Sequence, residues 1–128
     1  MSVKLPIPAG LLICSLLGAT LAEAADFQSC YDHAANNHAL IRCADMEYRH
    51  YDRLLNRNYR LLMRALPPRE QARLREAQRA WIRFRDLECD FEGYEMRGGT
   101  GEPLLVLGCK AELSKERAAA LLKLIPRP

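Results

Sequence analysis

Residues 77–86 read Ala-Gln-Arg-Ala-Trp-Ile-Arg-Phe-Arg-Asp and are followed by Cys89. The segment contains the only tryptophan of the chain, and its apolar residues recur at the steps of three and four that are typical of an amphipathic α-helix. It lies between Leu74 and a glycine-rich segment, residues 98–101, which leads to Cys109. This pattern predicts a long helix, a loop and a second helix, with a cysteine on each side of the loop.

Apolar residues recur with the same period on both sides of this segment. Asn36 and Asn37 break a first short pattern, and Pro67 and Pro68 end a second, longer one, because the residue before a proline disfavours helical backbone. The predicted helices are residues 26–36, 39–66, 68–94 and 103–125, with a loop over residues 95–102.

The short proline turn between two long amphipathic helices predicts an antiparallel α-hairpin. No alternation of polar and apolar residues is long enough to indicate a sheet. We therefore expect an all-α fold, an antiparallel bundle of three long helices plus a short N-terminal helix, stapled by disulfides. The predicted structural core contains Tyr51, Leu55, Tyr59, Trp81, Phe84 and Leu113.

Two charged residues interrupt the apolar faces of these helices. Glu88 lies in the middle of the apolar face that contains Trp81, and Arg117 lies in the middle of the last helix. Because an unpaired buried charge is costly, we expect Arg117 to form a structural ion pair with Glu88 or Glu47. A polar site inside the bundle is the alternative.

The N-terminus predicts an export signal. Lys4 precedes an apolar run over residues 9–21, and residues 22–24, Ala-Glu-Ala, supply the small residues that signal peptidase requires. We expect a signal peptide over residues 1–24 and a helical domain over residues 25–128, without stable membrane insertion after cleavage. The location would be periplasmic or secreted. A retained anchor or a lipid on Cys14 is the alternative.

Four cysteines remain after this cleavage: Cys30, Cys43, Cys89 and Cys109. An even number in a short exported chain predicts disulfides, with three possible connectivities. We favour Cys30–Cys43 and Cys89–Cys109, since each pair brackets one predicted loop. The competing interpretation is a zinc site, but the chain has no Cys-x-x-Cys motif.

The composition and the motifs argue against most other functions. The net charge of +3 is spread along the helices, whereas nucleic-acid binding usually requires a basic patch. His33 and His38 are five residues apart, so they lack the spacing of helical metal ligands. Neither a nucleophile elbow nor a phosphate loop is present. We expect no catalytic residues, no metal, no cofactor and no enzyme activity, and a protein partner rather than nucleic acid.

The chain resembles the lysozyme inhibitor LprI family, a group of small exported bacterial helical domains. The matching residues, in chain order, are Cys30-Tyr31-Asp32, Cys43, Glu47, Tyr48, Asp52, Leu55-Asn56, Tyr59, residues 77–82, Phe84-Arg85-Asp86, Cys89, Gly98-Gly99-Thr100, Cys109 and Arg117. The resemblance covers nearly all of residues 25–128. It implies an exported binding protein that inhibits lysozyme-type peptidoglycan muramidases, with lysozyme as the candidate partner. The alternative is a cell-envelope interaction factor without lysozyme inhibition.

Lysozymes cut glycan in a cleft that contains two carboxyl groups. A candidate loop for binding there is Arg97, Gly98, Gly99 and Thr100, closed by a Cys89–Cys109 bridge. Arg97 would pair with a cleft carboxylate and Thr100 would donate a hydrogen bond. The alternative is that the loop only connects two helices. Many lysozymes are cationic, so a chain of net charge +3 gains no long-range attraction to them.

Overall fold

The computed structural model describes residues 23–24 and 26–128. The predicted signal peptide, except for Glu23 and Ala24, lies outside the described residues, as does Cys14. The chain divides into two compact units, Met1–His33 and Ala34–Pro128. In the first unit, residues 26–32 are helical, so the short N-terminal helix ends earlier than the predicted 26–36.

The second unit begins with helix α1, Asn37–Ala65. Asn36 caps the helix, since its side chain accepts a hydrogen bond from the backbone N–H of Ala39 at 2.9 Å. The helix ends at Leu66, whose extended backbone precedes the two prolines. Its most buried residues follow helical spacing: Cys43, Ala44, Tyr51, Leu55, Asn58 and Leu62.

Helix α2, Pro68–Glu92, starts directly after this turn. Pro68 occupies the first turn, where a missing N–H has no cost, and Glu70 places a negative charge near the positive end of the helix dipole. A short 3₁₀ helix, Gly93–Met96, continues α2, and helix α3, Glu102–Leu124, follows the glycine loop. No strand occurs within residues 26–128.

Contacts between the helices define their directions. Gln71 on α2 bonds to Met63 on α1 beside the turn, and Arg85 reaches back to Asp52, so α1 and α2 are antiparallel. The Asn58 Nδ2 atom donates to the carbonyl of Ala118 at 2.8 Å. The backbone of α3 lies close to that of α1 over a long stretch and close to that of α2 over a shorter one. The backbones of α1 and α2 make few close approaches to each other, so these two helices meet mainly through side chains.

The apolar core lies at the proline-turn end of the bundle. Leu55, Leu62, Ala118 and Leu121 are fully buried there, and Trp81 packs against them with other partly buried residues. Small side chains on α3, including Ala111 and Ser114, allow the close approach of α1. None of the helices in the described part of the chain is long and apolar enough to cross a membrane.

Most of the predicted core is buried or partly buried, but the prediction for Phe84 is wrong. Tyr51 and Leu55 are buried, Tyr59 and Trp81 pack against the core, and Leu113 is half-buried. Phe84 is 52% exposed, because the buried residues of α2 are Gln78, Arg85 and Cys89. Since adjacent helix positions differ by about 100°, burial of Arg85 turns Phe84 toward solvent.

Candidate functional site

Arg85 forms the centre of a charged cluster between the three helices. Its side chain is 7% exposed, and its guanidinium Nε donates to Asp86 Oδ1 at 3.0 Å. The Nη1 atom lies 3.3 Å from Asp52 Oδ1 on α1 and 3.4 Å from Ser114 Oγ on α3. Buried arginine is stable only with such partners, and these three come from all three helices. Arg85 therefore links the whole bundle.

Aromatic rings alternate with cations around this cluster. The guanidinium of Arg85 lies 5.4 Å from the ring centres of both Tyr48 and Trp81. Lys110 approaches the Tyr48 ring at 5.8 Å, and Arg117 approaches the Trp81 ring at the same distance. We call the set Lys110, Tyr48, Arg85, Trp81 and Arg117 the cation–aromatic ladder. Each contact contributes about 0.5–2 kcal/mol, depending on its exposure.

Burial shifts the pKa values of two residues of the ladder. It raises the pKa of Tyr48, and the nearby positive charge of Arg85 opposes that change only in part. It lowers the pKa of Arg117, because a partly buried guanidinium loses hydration. Both shifts have the same main cause, the partial removal of these groups from water.

The predicted ion pair of Arg117 is wrong. Its Nε atom donates to the amide Oε1 of Gln78 at 3.0 Å. Neither Arg117 nor Glu88 forms an ion pair within residues 26–128, and Glu47 is not a partner of Arg117. A neutral amide and the face of Trp81 stabilise this half-buried cation instead. The buried arginine with carboxylate partners is Arg85, which was expected only as a residue shared with the LprI family and not as a buried one.

A signal in the sequence could have identified Arg85. A cysteine in a disulfide is usually buried, so Cys89 fixes which face of α2 points inward. Counting back from Cys89 by four, eight and eleven residues gives Arg85, Trp81 and Gln78. This series, rather than the one through Phe84, is the buried face.

The Arg97–Thr100 loop is held by the protein's own side chains. Arg97 Nη1 pairs with Glu102 Oε1 at 2.7 Å and with Asp90 Oδ1 at 3.1 Å, and Nη2 donates to the Asp90 carbonyl at 2.7 Å. The hydrogen bond to Asp90 is the main cause of a raised Arg97 pKa. The second oxygen of Glu102 accepts from the backbone N–H of Gly98 at 2.7 Å.

The rest of the loop is equally constrained. Gly98 has φ of +77°, a conformation that glycine adopts without strain. Asn37 at the start of α1 donates to the Thr100 carbonyl at 2.6 Å, and Cys89 and Cys109 form a disulfide across the loop, with Cα atoms 5.4 Å apart. Residues 97–100 are all exposed. The loop is thus a fixed, solvent-facing turn, but Arg97 is not a free cation.

Cys30 and Cys43 are also disulfide-bonded. Within the described ranges, no group of three or more histidine, cysteine or acidic side chains could hold a metal ion. A surface depression between α1 and α3 is lined by Ile41, Met46 and Leu107 and by the charged side chains of Arg42, Asp45 and Arg49. Asp45 and Arg49 pair with each other at 2.7 Å.

Comparison with known proteins finds one similar curated protein and one family model. An uncharacterized protein of Rhizobium meliloti (strain 1021) is 42% identical over 96 residues, which cover 65% of this chain and 69% of that protein. No solved structure matches the chain. The family model described as "Lysozyme inhibitor LprI" matches residues 30–121, which include nearly all of the three long helices and both cysteine pairs. The chain therefore belongs to the LprI lysozyme inhibitor family.

Proposed function

We propose that this protein is an exported inhibitor of lysozyme-type muramidases that acts by binding the enzyme. The family match over residues 30–121 carries the proposal. Disulfides at Cys89–Cys109 and at Cys30 and Cys43 support an oxidising compartment outside the cytoplasm. The predicted signal peptide over residues 1–24 supports the same location, either periplasmic or secreted.

The Arg97–Thr100 loop remains our candidate contact surface, with a revised role for Arg97. Because its guanidinium already bridges Asp90 and Glu102, Arg97 would hold the loop in shape rather than enter the lysozyme cleft. Thr100 is exposed and could donate its hydroxyl hydrogen to a cleft carboxylate. Because the loop is already held in one conformation before binding, it loses less entropy when it binds. Short-range contacts can therefore stabilise the complex without long-range electrostatic attraction between the two proteins.

Lysis of peptidoglycan by a purified lysozyme tests the function and the surface together. Wild type should inhibit the enzyme. Thr100→Val should weaken inhibition by about tenfold, which corresponds to one hydrogen bond of about 1.4 kcal/mol. Arg97→Ala should weaken it at least as much, since the loop loses both carboxylate contacts. Arg49→Ala is the matched control, because it removes an exposed, ion-paired arginine of α1 and the same unit of charge.

The possible results of this assay distinguish the proposed contact loop from the proposed inhibitor function. Unchanged inhibition by both loop variants would exclude the loop while leaving the inhibitor function standing. A folded wild-type protein that leaves lysozyme fully active would contradict that function. It would favour the cell-envelope interaction factor, which also needs a protein partner but no muramidase.

A further inference from the structure

Helix α2 has an apolar face that no other described helix covers. Phe84, Leu87 and Phe91 are 52%, 61% and 69% exposed. They lie at helical spacing, and Ala77 and Ala80 continue the same face toward the N-terminus of α2. We call these five residues the outer face of α2. It is about 21 Å long, from Ala77 to Phe91.

This face differs from ordinary surface hydrophobics, which occur singly. The inward side of α2 is occupied by Gln78, Arg85 and Cys89, which are buried. The polar cluster therefore displaces the large apolar residues to the opposite side, where their water exposure is unfavourable. A continuous apolar stripe at helical period is the pattern of a helix that packs against another helix.

The order of side chains along the face favours a second copy of the same helix. The N-terminal part carries small side chains, Ala77 and Ala80, whereas the C-terminal part carries Leu87 and Phe91. An antiparallel copy centred on Phe84 places Ala77 opposite Phe91 and Ala80 beside Leu87. Large side chains then fill the space above small ones, as close packing requires. A parallel copy would instead place Phe91 against Phe91 and leave a gap between the small side chains of the facing alanines.

The distribution of charges along α2 also favours an antiparallel copy. Five arginines and two glutamates precede Phe84 in the helix, and four acidic residues and the buried Arg85 follow it. An antiparallel copy brings the basic half of one helix to the acidic half of the other, whereas a parallel copy brings like charges together. Four residues beyond the ends of the face, Arg73 of one copy would lie near Glu95 in the 3₁₀ helix of the other, and both are exposed. Arg73 pairs with Glu70 of its own helix at 3.1 Å, so it would be shared between the two carboxylates.

We propose that the outer face of α2 forms a two-fold symmetric, antiparallel dimer with a second copy of this protein. Each copy contributes the same patch, as a two-fold interface requires. One helix pair of this length lies at the low end of stable interface sizes, so the dimer should be reversible, with a dissociation constant on the order of micromolar. The proposal is independent of lysozyme inhibition.

Sedimentation equilibrium of the purified protein over a concentration series tests this interface. Wild type should change from monomer to dimer, and Phe91→Ser should weaken the dimer by at least about tenfold. Leu124→Ser is the matched control: Leu124 is 63% exposed and belongs to α3 rather than to the outer face of α2, so the dimer should be unchanged. Circular dichroism should show equal helix content in all three proteins, since both substituted side chains are exposed.

A charge exchange tests the antiparallel arrangement. Arg73→Glu and Glu95→Arg should each weaken the homodimer. An equimolar mixture of the two variants should dimerise as strongly as wild type, because the new glutamate of one variant then lies opposite the new arginine of the other. Wild type that stays monomeric, a dimer that Phe91→Ser leaves unchanged, or a mixture that fails to recover would overturn the proposal. So would a monomer that loses lysozyme binding through Phe91→Ser, which would assign the face to the enzyme.

Discussion

The partly buried ring of Trp81 contacts two guanidinium groups. Arg85 and Arg117 approach its ring at 5.4 and 5.8 Å. The electron-rich faces of the indole offset part of the hydration that the two cations lose on burial. Arg85 also has carboxylates, but Arg117 has only Gln78 as a hydrogen-bond partner in the described structure. The single tryptophan therefore has an electrostatic role as well as a packing role.

Gln78 is an imperfect partner for Arg117, which leads to a stabilising substitution. Its Oε1 atom accepts from Arg117, but its buried Nε2 atom has no hydrogen-bond partner among the residues that the structure describes. Gln78→Glu replaces that orphan donor with an acceptor and supplies a negative charge. We expect the free energy of unfolding at pH 7 to increase by about 1 kcal/mol, since bonds between charged groups are stronger than neutral ones.

Urea unfolding measures this change, with Gln78→Met as the control that keeps the length but removes the acceptor. The arginine holds the new carboxyl's pKa below its ordinary value, so the gain should be present at neutral pH. It should disappear as the pH falls through that lowered pKa. A Gln78→Glu protein less stable than wild type at pH 7 would show that burial of the carboxylate costs more than the pairing contributes.

The face that each helix buries was only partly predictable from the sequence. On α1, aromatic and leucine residues mark the buried face, and the prediction for Tyr51 and Leu55 agrees with their burial. On α2, the buried face carries Gln78 and Arg85, so hydrophobicity points to the wrong side through Phe84. The position of the glycine loop was predictable, but the sequence alone could not show that Arg97 pairs with Asp90 and Glu102. Such pairing depends on the turn geometry.

Small side chains at the contact between α1 and α3 set the distance between these helices. Ala118 is fully buried, and its carbonyl accepts from Asn58. Ala118→Leu should therefore reduce the free energy of unfolding by about 1–3 kcal/mol, because the added atoms force the helices apart. Ala119→Leu adds the same atoms to the next, exposed position and should have an effect of about 0.5 kcal/mol or less. Thermal unfolding of both variants makes the comparison. Equal losses would contradict a tight contact at Ala118.

Across the whole second unit, different interactions stabilise different levels of the bundle. Leu55, Leu62 and Leu121 form an apolar core beside the proline turn, the cation–aromatic ladder follows, and the disulfide closes the opposite end. The fold class and the approximate helix bounds could be predicted, because prolines, glycines and helical periodicity are local signals. The contacts in the middle of the bundle, around Arg85, could not be predicted, since Asp52, Arg85 and Ser114 are distant in sequence.

The cation–aromatic ladder contains Tyr48, whose burial predicts how the stability of the protein changes at alkaline pH. Burial raises the pKa of Tyr48, so the unfolded chain releases this proton at a lower pH, about 10, than the folded protein does. The stabilising effect of the protonated hydroxyl is therefore complete below about pH 10 and is lost as the pH rises through the folded pKa. Wild type should lose stability across this range more steeply than Tyr48→Phe.

Chemical unfolding at a series of pH values measures this difference. Tyr94→Phe is the control, because Tyr94 is 70% exposed and should follow wild type. Parallel curves for wild type and Tyr48→Phe would contradict the linkage to Tyr48.

The Cys89–Cys109 bond also affects what a protease could do to this protein. The peptide bond after Arg97 lies in an exposed turn, and the two cysteines lie on opposite sides of it. A single cut at that bond would leave an N-terminal fragment with α1 and α2 and a C-terminal fragment with α3, still joined covalently through sulfur. The nicked molecule would keep both fragments together until a reductant released them.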